Sequence, residues 1–187
     1  MPTYTYKISA AARTLAVAIG AFAFAAGAQA AGDKDAYNQA KSSAKAAYDT
    51  DKKACDSLAG NAKDICVAEA KAKRTRTDEN AEAAYKNTPK AREHATHEIA
   101  EADYKVATER CDDKAGNDKD VCVKVAKAAL VRAKADAKVT RVSNDAKIDA
   151  AKDKREAEYN VAAQKCDALT GDAKGACVKD AKAKYGM

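Results

Sequence analysis

One pattern, written three times, constrains this chain more than any other feature. Cys55-Asp56-Ser57-Leu58-Ala59-Gly60-Asn61-Ala62-Lys63-Asp64-Ile65-Cys66-Val67 recurs as Cys111–Val123 and again as Cys166–Val178. The shared form is C-D-x3-G-[ND]-x-K-x2-C-V, at a period of about 55 residues, with a tyrosine (Tyr48, Tyr104, Tyr159) seven residues before each first cysteine. A repeat of this length marks one supersecondary unit used in tandem. The glycine suits the left-handed C′ position that ends a helix. Asn61, Asn117 or Asp172 then suits the N-cap of the next, with Asp64 and Asp120 at N3 against the helix dipole. Each copy therefore reads as helix, bend, helix.

Two cysteines within two turns of such a bend come face to face in an antiparallel hairpin. Six cysteines allow fifteen connectivities, and the repetition favours the local one: Cys55–Cys66, Cys111–Cys122 and Cys166–Cys177. Structural zinc prefers close cysteine or histidine pairs, and thiol redox catalysis a C-x-x-C motif. Metal ligation and thiol sensing are thus alternatives that the ten-residue gap fits poorly.

The compartment follows from the first 30 residues. Lys7 and Arg13 precede a short apolar run, Leu15–Ala26, and Ala28-Gln29-Ala30 offers small residues before a cut at Ala31. That is a secretory signal pattern, and its apolar core is shorter than the roughly 20 residues a bilayer crossing needs. The expected mature chain is exported to the periplasm, an oxidising place where disulfides persist, with no transmembrane anchor after cleavage. The expected divisions are a cleavable signal peptide over 1–30, hairpin repeats over 31–87 and 88–143, and a truncated repeat over 144–187.

Composition then sets the fold class. Both phenylalanines (Phe22, Phe24) lie before the cut, there is no tryptophan, and removal of Lys7 and Arg13 takes the net charge from +6 to +4. Leu, Ile and Val make up only about a tenth of the remainder, a level usual for disordered chains. Yet Ala, Lys and Glu are strong helix formers, and Glu69–Lys73, Glu101–Lys105 and Asp120–Lys124 place acid before base at i,i+4. The expected fold is all-α: elongated tandem antiparallel helical hairpins, coiled-coil-like, each with one disulfide near its bend. Thr88-Pro89 should cap and start a helix. The matching segment Ser143-Asn144-Asp145 has no proline, so continuity there is open.

Candidate chemistry is sparse. His94 and His97, i and i+3 beside Glu93, Glu98 and Glu101, are the candidate metal ligands, against the alternative of two solvated histidines on a charged helix. No residue is assigned a catalytic role: there is no phosphate-cradling loop, H-E-x-x-H motif or nucleophile elbow. No cofactor is expected. A balanced surface charge near +4 does not point to nucleic acid. Leu169-Thr170-Gly171-Asp172-Ala173 begins like the LTxxQ motif of helical periplasmic chaperones but lacks the glutamine.

The cysteine pattern, with Gly60-Asn61-Ala62-Lys63-Asp64-Ile65-Cys66-Val67 and Ala84-Tyr85-Lys86-Asn87-Thr88-Pro89-Lys90-Ala91, resembles a group of small exported Ala/Lys-rich helical proteins of proteobacteria. They are often labelled TolA-like or cell envelope biogenesis proteins. The similarity spans most of residues 33–187 and implies a helical protein of the cell envelope. TolA itself keeps its membrane anchor and carries a folded C-terminal domain; here the apolar N-terminal segment is expected to be cleaved, and no such terminal domain is expected. The expected function is a non-enzymatic structural, scaffolding or stress-related role in the envelope, through helix–helix contacts with envelope proteins. The alternative is a periplasmic chaperone or a metal- or ligand-binding module.

Overall fold

The computed structural model describes residues 32–187, and the expected signal peptide and its cut lie outside them. Five helices follow in order: α1 (Lys34–Ala54), α2 (Gly60–Lys86), α3 (Pro89–Cys111), α4 (Gly116–Cys166) and α5 (Gly171–Tyr185), with no strand among the described residues. A single 3-10 turn, Cys55–Ser57, closes α1.

Each helix packs only on its chain neighbours: α1 on α2, α2 on α3, α3 on α4, α4 on α5. No contact joins α1 to α3 or α2 to α4, so the helices form a single antiparallel layer rather than a bundle. The reason is compositional. A bundle needs helices with apolar stripes broad enough to face two partners, whereas nine of the fourteen buried apolar residues here are alanines. Alanine lets helices approach closely but removes little area from water. The three most deeply buried side chains are half-cystines, Cys55, Cys111 and Cys166.

The disulfides pair Cys55–Cys66, Cys111–Cys122 and Cys166–Cys177, each with Cα atoms 5.7 Å apart. The rest of the repeated motif has a job at the same place. The aspartate after the first cysteine forms an ion pair across the bend with the motif lysine in all three copies. The distances are 3.0 Å for Asp56–Lys63, 2.8 Å for Asp112–Lys119 and 2.9 Å for Asp167–Lys174. Exposed pairs of this kind are each worth at most about 1 kcal/mol. Their constancy explains why C-D and G-x2-K travel together.

The glycines correct one expectation. They are left-handed (φ 56°, 55° and 58° at Gly60, Gly116 and Gly171), yet they do not terminate the helix before them. The first helices of the motif close at the cysteine turn, and each glycine instead opens the helix that follows an extended Ala59, Ala115 or Thr170. The disulfide pins the chain before the bend, which leaves the glycine to redirect it. Asn61 is accordingly not a cap: its Nδ2 donates to the Glu109 carbonyl (3.0 Å) and to Asp113 Oδ1 (2.6 Å), tying the first bend to the second. Asp64 likewise sits beyond the first turn of α2, and Asp120 beyond that of α4. Nothing lies within 4 Å of a Cβ added at Gly116. Gly116→Ala should therefore lower stability by backbone strain alone, about 1–2 kcal/mol, and Gly116→Asn by less; urea unfolding of the three proteins measures this.

The two links between copies differ. At the first, Asn87 is left-handed (φ 46°), the Thr88 hydroxyl accepts from Ala91 N–H (3.1 Å) and Pro89 opens α3, so the chain reverses. At the second, Ser143-Asn144-Asp145 has no proline, and α4 runs through it without a break, 51 residues in all, about 75 Å at 1.5 Å per residue. The third hairpin therefore shares a helix with the second instead of folding back beside it, and the described residues form one compact unit.

Because the alanine seams are smooth, ion pairs fix the register between helices. They are Asp51–Lys73 for α1–α2, Arg76–Asp103 and Glu69–Arg110 for α2–α3, and Glu93–Arg141 and Glu101–Lys134 for α3–α4. The repeated tyrosines lie half-buried in these seams, with Arg74 over Tyr48 at 5.5 Å and Lys127 over Tyr104 at 5.4 Å. Such cation–π contacts are worth about 0.5–1 kcal/mol at exposed sites.

Candidate functional site

α3 lies between α2 and α4, and the two histidines on it turn to different neighbours. His94 is mostly exposed, with Nε2 3.9 Å from Glu79 on α2. The Nε2 of His97 lies 3.3 Å from the Lys134 carbonyl on α4. Of the acids that flank them, Glu93 is engaged by Arg141 and Glu101 by Lys134. The sequence placed these groups together on one helix; the packing of α3 between two helices draws them apart. Among the described residues no group of three or more His, Cys, Asp or Glu side chains is arranged to hold a metal ion.

The α2–α3 seam near His94 holds a carboxylate shifted upward, Glu79. Burial pushes the Glu79 carboxyl above its ordinary range; His94 opposes this, and Glu82 and Glu98 reinforce it. One Glu79 oxygen and one of its neighbour Asp78 are buried without a hydrogen-bond partner. Glu82 and Glu101 shift the opposite way. Hydrogen bonds from Lys86 and Lys134 hold Glu82 and Glu101 below the ordinary range.

The sign for Glu79 is then fixed. A carboxyl raised in the folded state favours folding when protonated, and that contribution is lost as pH rises through the folded value. At neutral pH ionised Glu79 opposes folding. Glu79→Gln should raise the thermal midpoint at neutral pH, and the gain should vanish below about pH 4, where both states carry the proton. Melts of both proteins across pH test this.

The concavities are open grooves between neighbouring helices. One is lined by Tyr48, Lys71, Arg74, Asp78, Glu98 and Lys105, a mixed-charge trough along α2. The other, between α3 and α4, is apolar, with Ile99, Ala100, Tyr104, Ala107, Ala129 and Leu130. Neither gathers a nucleophile, a base and an oxyanion donor, the set that acyl-transfer chemistry needs.

The larger surface lies on the outward edge of α4, where Val121, Val125, Val131, Val139 and Val142 stand exposed. The cysteine repeat does not point to this edge. The edge's signal in the sequence is the three-and-four spacing of Val125, Ala128, Ala135, Val139, Val142 and Ala146, interrupted at Arg132, within one helix. In comparison with known proteins, the chain matches no family model, no curated protein and no solved structure.

Proposed function

We propose that this chain is an exported, non-enzymatic protein of the periplasm that serves the cell envelope as a structural or scaffolding element. The single-layer architecture carries the reading: five helices are held edge to edge, so both faces of the layer stay available to other proteins. Three disulfides support an oxidising compartment, since such bonds rarely persist in the cytosol. Among the described residues no helix is long and apolar enough to cross a membrane. The working parts are then long helical faces laced with ion pairs, suited to helix–helix contacts with envelope proteins.

A chaperone is the second reading, favoured by the apolar α3–α4 groove and the exposed valines of α4. One experiment separates them. Osmotic shock should release a protein that starts at Ala31 and carries no free thiol. That protein should leave aggregation of a chemically unfolded client unchanged and should crosslink in intact cells to a defined set of envelope proteins. Retention in the cytosol with reduced cysteines would sink the export reading. Suppressed aggregation at near-stoichiometric amounts would replace scaffold with chaperone.

A further inference from the structure

The layer has two edges, and they differ in chemistry. α1 turns Ser42, Ala46, Asp49 and Lys53 outward, all exposed and mostly polar. α4 turns outward Val125, Ala128, Ala135, Val139, Val142 and Ala146, all exposed; Val125 and Val139 are 63% and 68% accessible. Ala126, Leu130 and Ala137 are buried towards α3, and at about 100° per residue Ala128, Ala135, Val139, Val142 and Ala146 fall on the opposite side of the helix, with Val125 at its border. Their spacing alternates three and four, the a/d seam of a coiled coil, with Arg132 filling the one interruption. Over 125–146 this helix has apolar residues on both sides and α3 as its one neighbour within the chain, since α5 packs on α4 near the Cys166 end.

We propose that a second copy of this chain covers that edge, its α4 antiparallel to the first about a two-fold axis level with Thr140 and Arg141. In this register Val139 packs on Val142 of the second copy and Ala135 on its Ala146, and each pair occurs twice. The charges that border the seam select the arrangement. Arg132 meets Asp149 of the second copy, and Lys138 meets its Asp145. Arg132, Lys138 and Asp149 make no ion pair within the described residues, and Asp145 pairs only with Arg141, at 2.7 Å.

Competing registers bring like charges together. A shift of one heptad in either direction sets Lys138 against Lys138 or Asp145 against Asp145. A parallel pair sets Arg132 against Arg132 and Asp149 against Asp149. Like charges at an interface strongly disfavour the wrong pairing, so the register centred on Thr140 and Arg141 is favoured over these. The interface is isologous, as two-fold assemblies require.

The test uses the oxidised protein as isolated from cells. Sedimentation equilibrium should give twice the chain mass, and Val139→Asp/Val142→Asp should give the single mass with an unchanged helical circular-dichroism signal. Arg132→Glu should weaken the dimer by on the order of a hundredfold, and Arg132→Glu/Asp149→Arg should restore it. On oxidation, a mixture of Ala135→Cys and Ala146→Cys chains should link 135 to 146, because like positions sit about 16 Å apart along the seam. A single mass at the highest soluble concentration overturns the proposal. So do 135-to-135 links, failure of the charge swap to restore pairing, or a dimer indifferent to Val139→Asp/Val142→Asp.

Discussion

Replacing Cys166 and Cys177 together with alanine is expected to release α5 from the rest of the protein. α5 has 15 residues and one buried side chain, Ala181. It packs only on α4. A helix of that length is marginal alone in water, because nucleation is unfavourable and few bonds follow it. Closing the short loop between the two cysteines contributes about 3 kcal/mol on the chain-entropy account. The exposed Asp167–Lys174 pair contributes at most about 1 kcal/mol. Without the disulfide nothing else of comparable size holds the helix down. Hydrogen exchange should show amides of 171–185 losing protection by roughly a hundredfold, while α1–α4 keep theirs. The same change at Cys111 and Cys122 should lower the unfolding midpoint but leave α3 docked, since α2 and α4 flank it on both sides. Alanine is the right replacement, because serine would bury a hydroxyl at Cys166, which is 1% exposed. Equal protection in the oxidised and variant proteins would show that packing, not the cross-link, holds α5.

The second large effect concerns the link at Ser143. Val142→Asn/Asn144→Pro should break α4 and let the third hairpin turn back, because it copies the chemistry of Asn87-Thr88-Pro89. Proline inside a helix removes one backbone hydrogen bond and clashes with the preceding turn, about 3 kcal/mol. Asparagine accepts the left-handed conformation that the reversal requires. Ser143 is already in place to cap the new helix. In the native chain the asparagine at 142 and the proline at 144 are both missing, and α4 passes through at full helicity. Small-angle scattering should register a shorter, thicker particle for the variant. An unchanged radius of gyration would mean that residues 142–144 do not decide the direction of the chain.

Much of this architecture was legible before any coordinates. The thrice-written cysteine motif implied three hairpins, and Thr88-Pro89 located the first reversal, because caps, prolines and loop closures act within a few residues of one another. The glycines were legible as left-handed but not as to which helix they serve. That depends on where the disulfide halts the first helix, a contact eleven residues apart in sequence. The pairing of motif aspartate with motif lysine was equally hidden, since it needs the bend already folded. Continuity at Ser143-Asn144 stayed open because a serine–asparagine pair neither breaks a helix nor favours it strongly.

The candidate site was less legible than the fold. His94 and His97 share a helix, yet α2 and α4 compete for them, and a single helical segment carries no information about its flanking partners. The single layer itself was invisible for the same reason. Tandem hairpins can stack into a bundle or lie side by side, and only the narrowness of the alanine seams decides between them.

The most direct test of the account is the distance from residue 127 to residue 160, on either side of the second link. Spin labels at Lys127→Cys and Asn160→Cys, both exposed, should lie about 50 Å apart along one unbroken helix, measured with labelled protein diluted into unlabelled protein. A distance near 10–15 Å, the spacing of two packed helices, would contradict it and return the third copy to the side of the second.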